Sequence, residues 1–271
     1  MTERRGTLWA AMTRAPIIEL DDVSKTYGDA RALDRVTLHI GAGEFLAVVG
    51  PSGSGKTTLL RLINRLAEPT SGAVLVEHED VRLADPPALR RRIGYVFQGI
   101  GLFPHLTVAE NVAITPRLIG WSREKRAARA DELLQLVRLD PAQYRDRFPA
   151  ALSGGERQRV GVARALAAEP KIVLMDEPFG ALDALNRDAI GSDYRALHVS
   201  LGLTSVMITH DLTEAVLLAD RVVVVHQGRV IEEGTPQQLM TAPKHAYVRE
   251  LIETPRRQAA RLGALLKGGG A

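Results

Sequence analysis

The sequence contains no cysteine. Disulfides and thiolate metal sites are thereby excluded, which fits a reducing compartment. No uninterrupted apolar run approaches the length of a membrane-spanning helix; the longest read as buried strands. The opening "MTERRGTLWAAMTRAP" carries basic residues, but its apolar stretch, Leu8 to Met12, is too short for a secretory core. Residues 1–15 are expected to be a loose extension. Charge of one sign is also lacking: the formal net charge is +3, with no concentrated basic stripe of the kind that binds nucleic acid. Neither internal repeats nor low-complexity segments occur, apart from a flexible "KGGGA" tail.

The chain does hold enough apolar residues, 45% of 271, for a sizeable core in one domain or a domain with a subdomain. Short apolar runs alternate with helical patterns, the mark of α/β architecture. "FLAVVG", "KIVLMDE" and "TSVMITH" end in polar or glycine residues leading toward helices. They read as buried parallel strands, whose carboxyl ends collect ligands. "ALDRVTLHI" and "GAVLVEH" look antiparallel, and "RVVVVHQGRVIEEG" reads as a hairpin turning at Gln227-Gly228. Between Val108 and Phe148 the texture becomes charged helix, which reads as an inserted helical subdomain.

A phosphate cradle is written between the first of these strands and the helix "TTLLRLINRL". Gly50, Pro51, Ser52, Gly53, Ser54, Gly55, Lys56, Thr57 and Thr58 contain the pattern G-x-x-x-x-G-K-[ST] in a strand–loop–helix context. The glycines let backbone N–H groups wrap phosphates, Lys56 supplies a point charge, and the Thr57 hydroxyl suits Mg²⁺. In "IVLMDEP", Asp176 is placed to hold the metal's shell and Glu177 to polarise an attacking water. Two acids at a strand end often only favour a following helix start; beside a phosphate loop they read as a catalytic pair. His210 ends another strand and suits a γ-phosphate sensor, while Asp211 and Glu214 after it have capping-box spacing. Gln98 after "RRIGYVF" is a strand-terminal amide whose oxygen could reach the metal, and Tyr27 offers a ring on which adenine could stack.

A second glycine pair, in "LSGGERQRVGVARAL", poses a puzzle. Ser153 and Glu156 fit a capping box, so "LSGGE" reads as a helix start. Gly154 and Gly155 nevertheless fall in its first turn, where glycine weakens a helix unless something must approach closely. A helix start of this kind is a second anion site in a chain that already has one.

With these motifs in this order, the chain resembles the nucleotide-binding subunits of ABC transporters over roughly Ile17 to Leu251. "GPSGSGKTT" looks like their Walker A, "IVLMDE" their Walker B, "LSGGERQ" their signature and "GALD" their D-loop. The resemblance implies a P-loop NTPase core with an antiparallel β subdomain and an inserted helical subdomain near residues 99–160, all within 16–251, followed by a tail, 252–271. It also implies ATP and Mg²⁺ as cofactors. Nucleotide contacts are then expected at Tyr27, Gly50 to Thr58, Gln98, Ser153, Gly154, Gly155 and Asp183. Metal contacts fall to Thr57, Gln98 and Asp176, and catalytic roles to Glu177 and His210. In that family the signature faces ATP held by a second, head-to-tail copy, which resolves the puzzle of two anion sites. Arg159 and Arg164 on the signature helix are expected to be structural or solvated.

Further implied partners are two transmembrane permease subunits, docking near Gln98 to Thr107, and an external solute-binding protein. The implied location is peripheral, on the cytoplasmic face of a bacterial inner membrane, with no nucleic-acid partner. "LRLINRLAEPTSG", "IGYVFQGIGLFPHLTVAENVAI" and "TPRRQAARL" are similar to importers of glycine betaine, choline or carnitine. Several of those continue into paired CBS modules; with this sequence ending at Ala271, regulation by such modules is not expected. Subunits serving taurine, polyamines or sugars share the core motifs, and soluble relatives acting on nucleic acid or ribosomes are the remaining alternative.

Overall fold

The computed structural model describes residues 16–180, 182–254 and 257. The expected N-terminal extension, most of the expected tail and Ala181 of "GALD" lie outside the described residues. The chain opens with β1 (Pro16–Tyr27) and β2 (Ala30–Gly41), followed by β3 (Phe45–Val49), the phosphate loop and α1 (Lys56–Ile63). Next come β4 (Ser71–Val76), β5 (Glu79–Asp80), α2 (Pro86–Arg92) and β6 (Ile93–Val96). Five helices intervene: α3 (Val108–Val112), α4 (Ile114–Leu118), α5 (Arg123–Leu136), α6 (Pro141–Tyr144) and α7 (Gly154–Leu166). The remainder is β7 (Ile172–Asp176), α8 (Ala184–Leu201), β8 (Thr204–Thr209), α9 (Leu212–Leu218), β9 (Arg221–His226), β10 (Arg229–Gly234) and α10 (Pro236–Thr241).

A six-stranded sheet, ordered β10-β9-β3-β8-β7-β6, forms the centre. Every pair from β9 to β6 is parallel, and β10 returns antiparallel through the turn at Gln227-Gly228. Both turn residues have positive φ, 49° and 77°, as the tightest hairpin turn requires. Side chains alternate across this sheet with period two. Phe45, Ala47, Val49, Val173, Met175, Met207, Val222 and Val224 face one core, shared with α3, α5, α7, α8 and α9. Leu46, Val48, Ile172, Leu174, Val206, Ile208, Val223 and Val225 face the other, shared with α1 and the second sheet. Burial on both faces is why these strands read as continuous apolar runs. Each such side chain removed from water contributes about 1.5–3 kcal/mol.

The second sheet is antiparallel, ordered β2-β1-β4-β5. "ALDRVTLHI" and "GAVLVEH" sit in an antiparallel sheet as expected, yet they do not pair with each other; each runs antiparallel to β1, which lies between them. The sequence reading missed β1. Its register shifts near Leu20 to Lys25 break the strict alternation by which a half-buried strand is recognised. At α9 the expected capping box is absent. Asp211 caps by accepting from the Thr213 amide, while Glu214 turns inward and accepts the Thr209 hydroxyl at 2.6 Å. Among the described residues no helix is long and apolar enough to cross a membrane.

Candidate functional site

The carboxyl ends of β3, β6, β7 and β8 bring Lys56, Thr57, Gln98, Asp176, Glu177 and His210 into one cluster. The phosphate loop leaves β3 at Gly50 and enters α1 at Gly55, whose φ of 103° and close approach to the Ala32 carbonyl leave no room for a side chain. The loop is braced from the side, because the Gly228 amide donates to the Ser54 carbonyl at 3.1 Å. The terminal hairpin is thus a wall of the cradle, a contact between residues far apart in sequence. Lys56 is 6% exposed and donates to the carbonyls of Gly50 and Pro51 at 2.8 and 2.9 Å, curling beneath the loop. Burial lowers its pKa, while the nearby Glu177 and Asp176 carboxylates oppose that shift.

Thr57 donates to Asp176 Oδ1 at 3.3 Å, joining the loop to the end of β7. Asp176 is 7% exposed; burial raises its pKa, with Glu177 adding to the effect and the Thr57 hydrogen bond opposing it. The neighbouring Tyr95 phenol is pushed up as well, first by its burial and then by Asp176. Glu177 follows with a φ of 45°, a conformation side chains adopt only when their surroundings hold it. Its amide donates to the Ile208 carbonyl at 3.0 Å, which fixes the turn. The result swings the carboxylate out of the sheet, where Gln98 Nε2 donates to it at 3.2 Å and His210 Nδ1 lies 3.3 Å away.

These groups suit a polyanion and a hard cation. Among the described residues no three His, Cys, Asp or Glu side chains gather to hold a metal by themselves. A cation here must draw on the Thr57 hydroxyl, the Asp176 carboxylate, the Gln98 amide and phosphate oxygens, a donor set that fits Mg²⁺.

The remaining sequence-predicted residues lie apart. Tyr27 ends β1 and is exposed, with Lys25 Nζ 4.8 Å from its ring centre. The same hairpin supplies the Ala32 carbonyl against which Gly55 packs. Asp183 caps α8 and accepts from both nitrogens of Asn186. Ser153 caps α7 in a complete capping box with Glu156, whose other oxygen accepts the Tyr144 hydroxyl at 2.6 Å. Gly155 is buried against α8, and a methyl there would sit 3.3 Å from Asn186 Oδ1. Ser153, Gly154 and Gly155 make no hydrogen bond to the phosphate loop among the described residues.

One residue at this site does not stand out in the sequence. Asn111 is fully buried on α3; it accepts from the Phe103 amide and donates to the carbonyls of Phe103 and Leu106, moulding the segment after Gln98. Its signal was an amide at helical spacing with Val108 and Val112. Arg164, expected to be structural or solvated, is structural: it is buried, and its guanidinium donates to the carbonyls of Ile100 and Gly101.

Known proteins are similar to this chain. The chain is 48% identical over 237 residues to the glycine betaine/carnitine/choline transport ATP-binding protein of Bacillus subtilis, covering 87% of this chain and 62% of that protein. It is 46% identical to the glycine betaine uptake system ATP-binding protein of Escherichia coli, covering 87% and 76%. The chain therefore spans about three fifths of the length of the first relative and three quarters of the second. Among solved structures, the dimeric post-hydrolysis form of the ATP-binding cassette MJ0796 with ADP and Pi superposes with a TM-score of 0.73 at 37% identity, covering 81% of this chain and 98% of that one. Residues 33–180, the stretch holding the phosphate loop, Gln98, the capped glycine pair and the acidic strand end, match the ABC transporter family, and to that family this chain belongs.

Proposed function

We propose that this chain binds and hydrolyses ATP as one half of a head-to-tail pair of identical chains, and that the pair drives a permease importing quaternary amines of the betaine, choline and carnitine class. The observation that carries the reading is the convergence of Lys56, Thr57, Gln98, Asp176, Glu177 and His210 at the carboxyl ends of four neighbouring strands. Glycine amides and the Lys56 ammonium bind the β- and γ-phosphates. Mg²⁺, held by Thr57, Asp176 and Gln98, supplies charge neutralisation on the phosphate oxygens when bound. Glu177 polarises the attacking water, and the Gln98 amide and His210 imidazole keep its carboxylate aimed. Tyr27 stacks on the base.

The Ser153 cap and the Gly154–Gly155 pair make no hydrogen bond to the chain's own phosphate loop among the described residues, which leaves them for a partner's nucleotide; the similar cassette MJ0796 is dimeric. Asp183 lines the same junction. Two such chains in a twofold pair hold two equivalent sites. The division into a core within 16–251 and a helical insert near 99–160 belongs to this reading, as does a peripheral position on the cytoplasmic face of a membrane. The permease meets the segment from Gln98 to Thr107, where Phe103 is 41% exposed and Phe97, just before it, 46%. An external solute-binding protein delivers the substrate. The named activities of the similar Bacillus and Escherichia proteins favour quaternary amines among possible solutes.

The test is copurification from membranes followed by uptake into reconstituted vesicles. The expected assembly holds two copies of this chain and two permease subunits. It accumulates betaine, choline or carnitine with ATP and does not do so when Glu177 is replaced by glutamine. An assembly without a permease, or uptake insensitive to that replacement, overturns the reading.

A further inference from the structure

The segment after Gln98 has a backbone that few sequences adopt. Gly99, Ile100 and Gly101 all have positive φ, at 73°, 73° and 58°. For isoleucine, branched at Cβ, this is an outlier that the surroundings must impose. The turn's own bonds are few: the Ile100 amide donates to the Phe97 carbonyl at 3.0 Å, and the Gly101 amide to the Gly99 carbonyl at 2.8 Å.

What imposes it is α7. Arg164 is 7% exposed, and its two terminal nitrogens reach successive carbonyls of the turn, Nη2 to Ile100 at 2.8 Å and Nη1 to Gly101 at 2.6 Å. Its guanidinium lies 5.6 Å from the ring centre of Phe97. No carboxylate pairs with it among the described residues, and burial is what lowers its pKa. A buried cation without a counter-ion is unfavourable unless its hydrogen bonds hold something the fold needs. One helical turn earlier Gly161 makes room for the same segment, since a methyl there would stand 3.3 Å from Ile100 Cγ2. A bare helix face receives the isoleucine, and the arginine grips the backbone on either side of the next peptide bond.

Both ends of this clamp reach the proposed sites. Gln98, adjoining the turn, donates to Glu177 at 3.2 Å. Ser153 caps the helix that bears Arg164, eleven residues upstream and about 16 Å along its axis. We propose that Arg164 is a positioning residue that locks the left-handed turn 99–101 to α7, so that Gln98 at the chain's own phosphate site and Ser153, offered to the partner, move as one rigid body. This rests on the nucleotide-dependent pairing proposed above. Its consequence is that occupancy of one phosphate site sets the orientation of the serine that completes the other.

The experiment compares wild type, Arg164→Lys and Gly101→Ala. Lysine keeps the charge but replaces the rigid two-nitrogen fork, one nitrogen to each carbonyl, by a single nitrogen on a flexible stem; alanine strains the turn from the other side, in an exposed loop, and leaves α7 intact. Melting temperature, Mg²⁺–ATP binding by the single chain, kcat and KM for ATP are measured. ATP-driven pairing is then followed by sedimentation with Glu177→Gln added. For Arg164→Lys the expected result is monomer affinity within about twofold of wild type, with kcat and pairing affinity each lowered about tenfold and a loss of cooperativity in ATP. Gly101→Ala is expected to show the same pattern at about threefold. Folded variants with wild-type kcat and pairing overturn the clamp, as does a loss confined to KM. If Arg164→Lys does not fold, Gly101→Ala alone decides. A wild-type chain that neither hydrolyses ATP nor pairs with it would instead sink the proposed function, an outcome distinct from failure of the clamp.

Discussion

The phosphate loop and the start of α7 use one chemistry, backbone amides at the opening of a helix, under opposite conditions. At the phosphate-loop side Lys56, Thr57 and Gln98 are engaged within their own chain. Lys56 holds loop carbonyls, Thr57 holds Asp176, and Gln98 holds Glu177. At α7 the cap is equally well made, by Ser153 and Glu156 with Tyr144 behind them, yet among the described residues none of it hydrogen-bonds the phosphate loop. The difference teaches that local construction and site completeness are separate matters. A helix start can be finished as structure and, under the proposed pairing, still be half of a site.

The largest expected effect separates chemistry from binding on the loop side. Glu177→Gln should lower ATP turnover about 100-fold or more while leaving Mg²⁺–ATP affinity within about threefold, since the amide keeps the shape and loses the base. Steady-state hydrolysis and nucleotide binding on one preparation check it, and near-normal turnover breaks the assignment. Next in size is the other half. In the Glu177→Gln chain, Ser153→Arg should weaken ATP-driven pairing about 100-fold by placing a bulky charge where the proposed pairing puts the partner's nucleotide. Binding by the single chain should stay within about twofold. Sedimentation with and without ATP reads both, and a dimer that forms without ATP, or survives the arginine, erases the contrast between the halves.

A smaller effect is expected where the two regions are joined. Phe103→Asp should reduce solute uptake by the reconstituted assembly about tenfold with little change in ATP hydrolysis by the isolated chain, because the ring contact this exposed side chain loses is with His105 in the same loop. Coupled uptake at the normal rate would mean that the permease docks elsewhere.

The smallest effects probe α7 as plain structure. Ser153→Ala removes a cap and should cost about 1 kcal/mol, seen as a fall of a few degrees in Tm. Glu156 adds a pH dependence. The hydrogen bond from the Tyr144 hydroxyl, and then the Ser153 amide, hold its carboxyl below the ordinary value of 4.5. A lowered folded-state pKa gives stability that is complete above the unfolded value and lost as pH falls through the folded one. Wild type should therefore exceed Glu156→Gln in stability at neutral pH, with the gap closing below pH 4.5, as melting across pH would show. A gap that widens on acidification reverses the sign.

Much of this molecule is written locally. The phosphate loop follows from a glycine pattern between a strand and a helix, and the parallel strands from apolar runs buried on both faces. The α7 start follows from a serine three residues before a glutamate. Each depends on neighbours within a few residues, which is why periodicity and capping rules reach them. The strand β1 was hidden because its bulges spoil the alternation that a single strand must show. The inward turn of Glu214 was hidden because its partner is Thr209, the last residue of β8, so that a side chain placed to cap the helix instead satisfies a buried hydroxyl.

The sequence by itself determined the α/β alternation, the phosphate loop, the acidic strand end and the capped glycine pair, all consequences of short-range sterics and hydrogen bonding. Only the tertiary structure decided what those pieces touch. It set the terminal hairpin against the loop through Gly228 and Ser54, turned Glu177 toward both Gln98 and His210, and placed Arg164 on the carbonyls of a left-handed turn. The reason is physical: buried amides, carbonyls and charges must find partners wherever packing brings the chain together, and no local rule names a partner that lies 63 residues away.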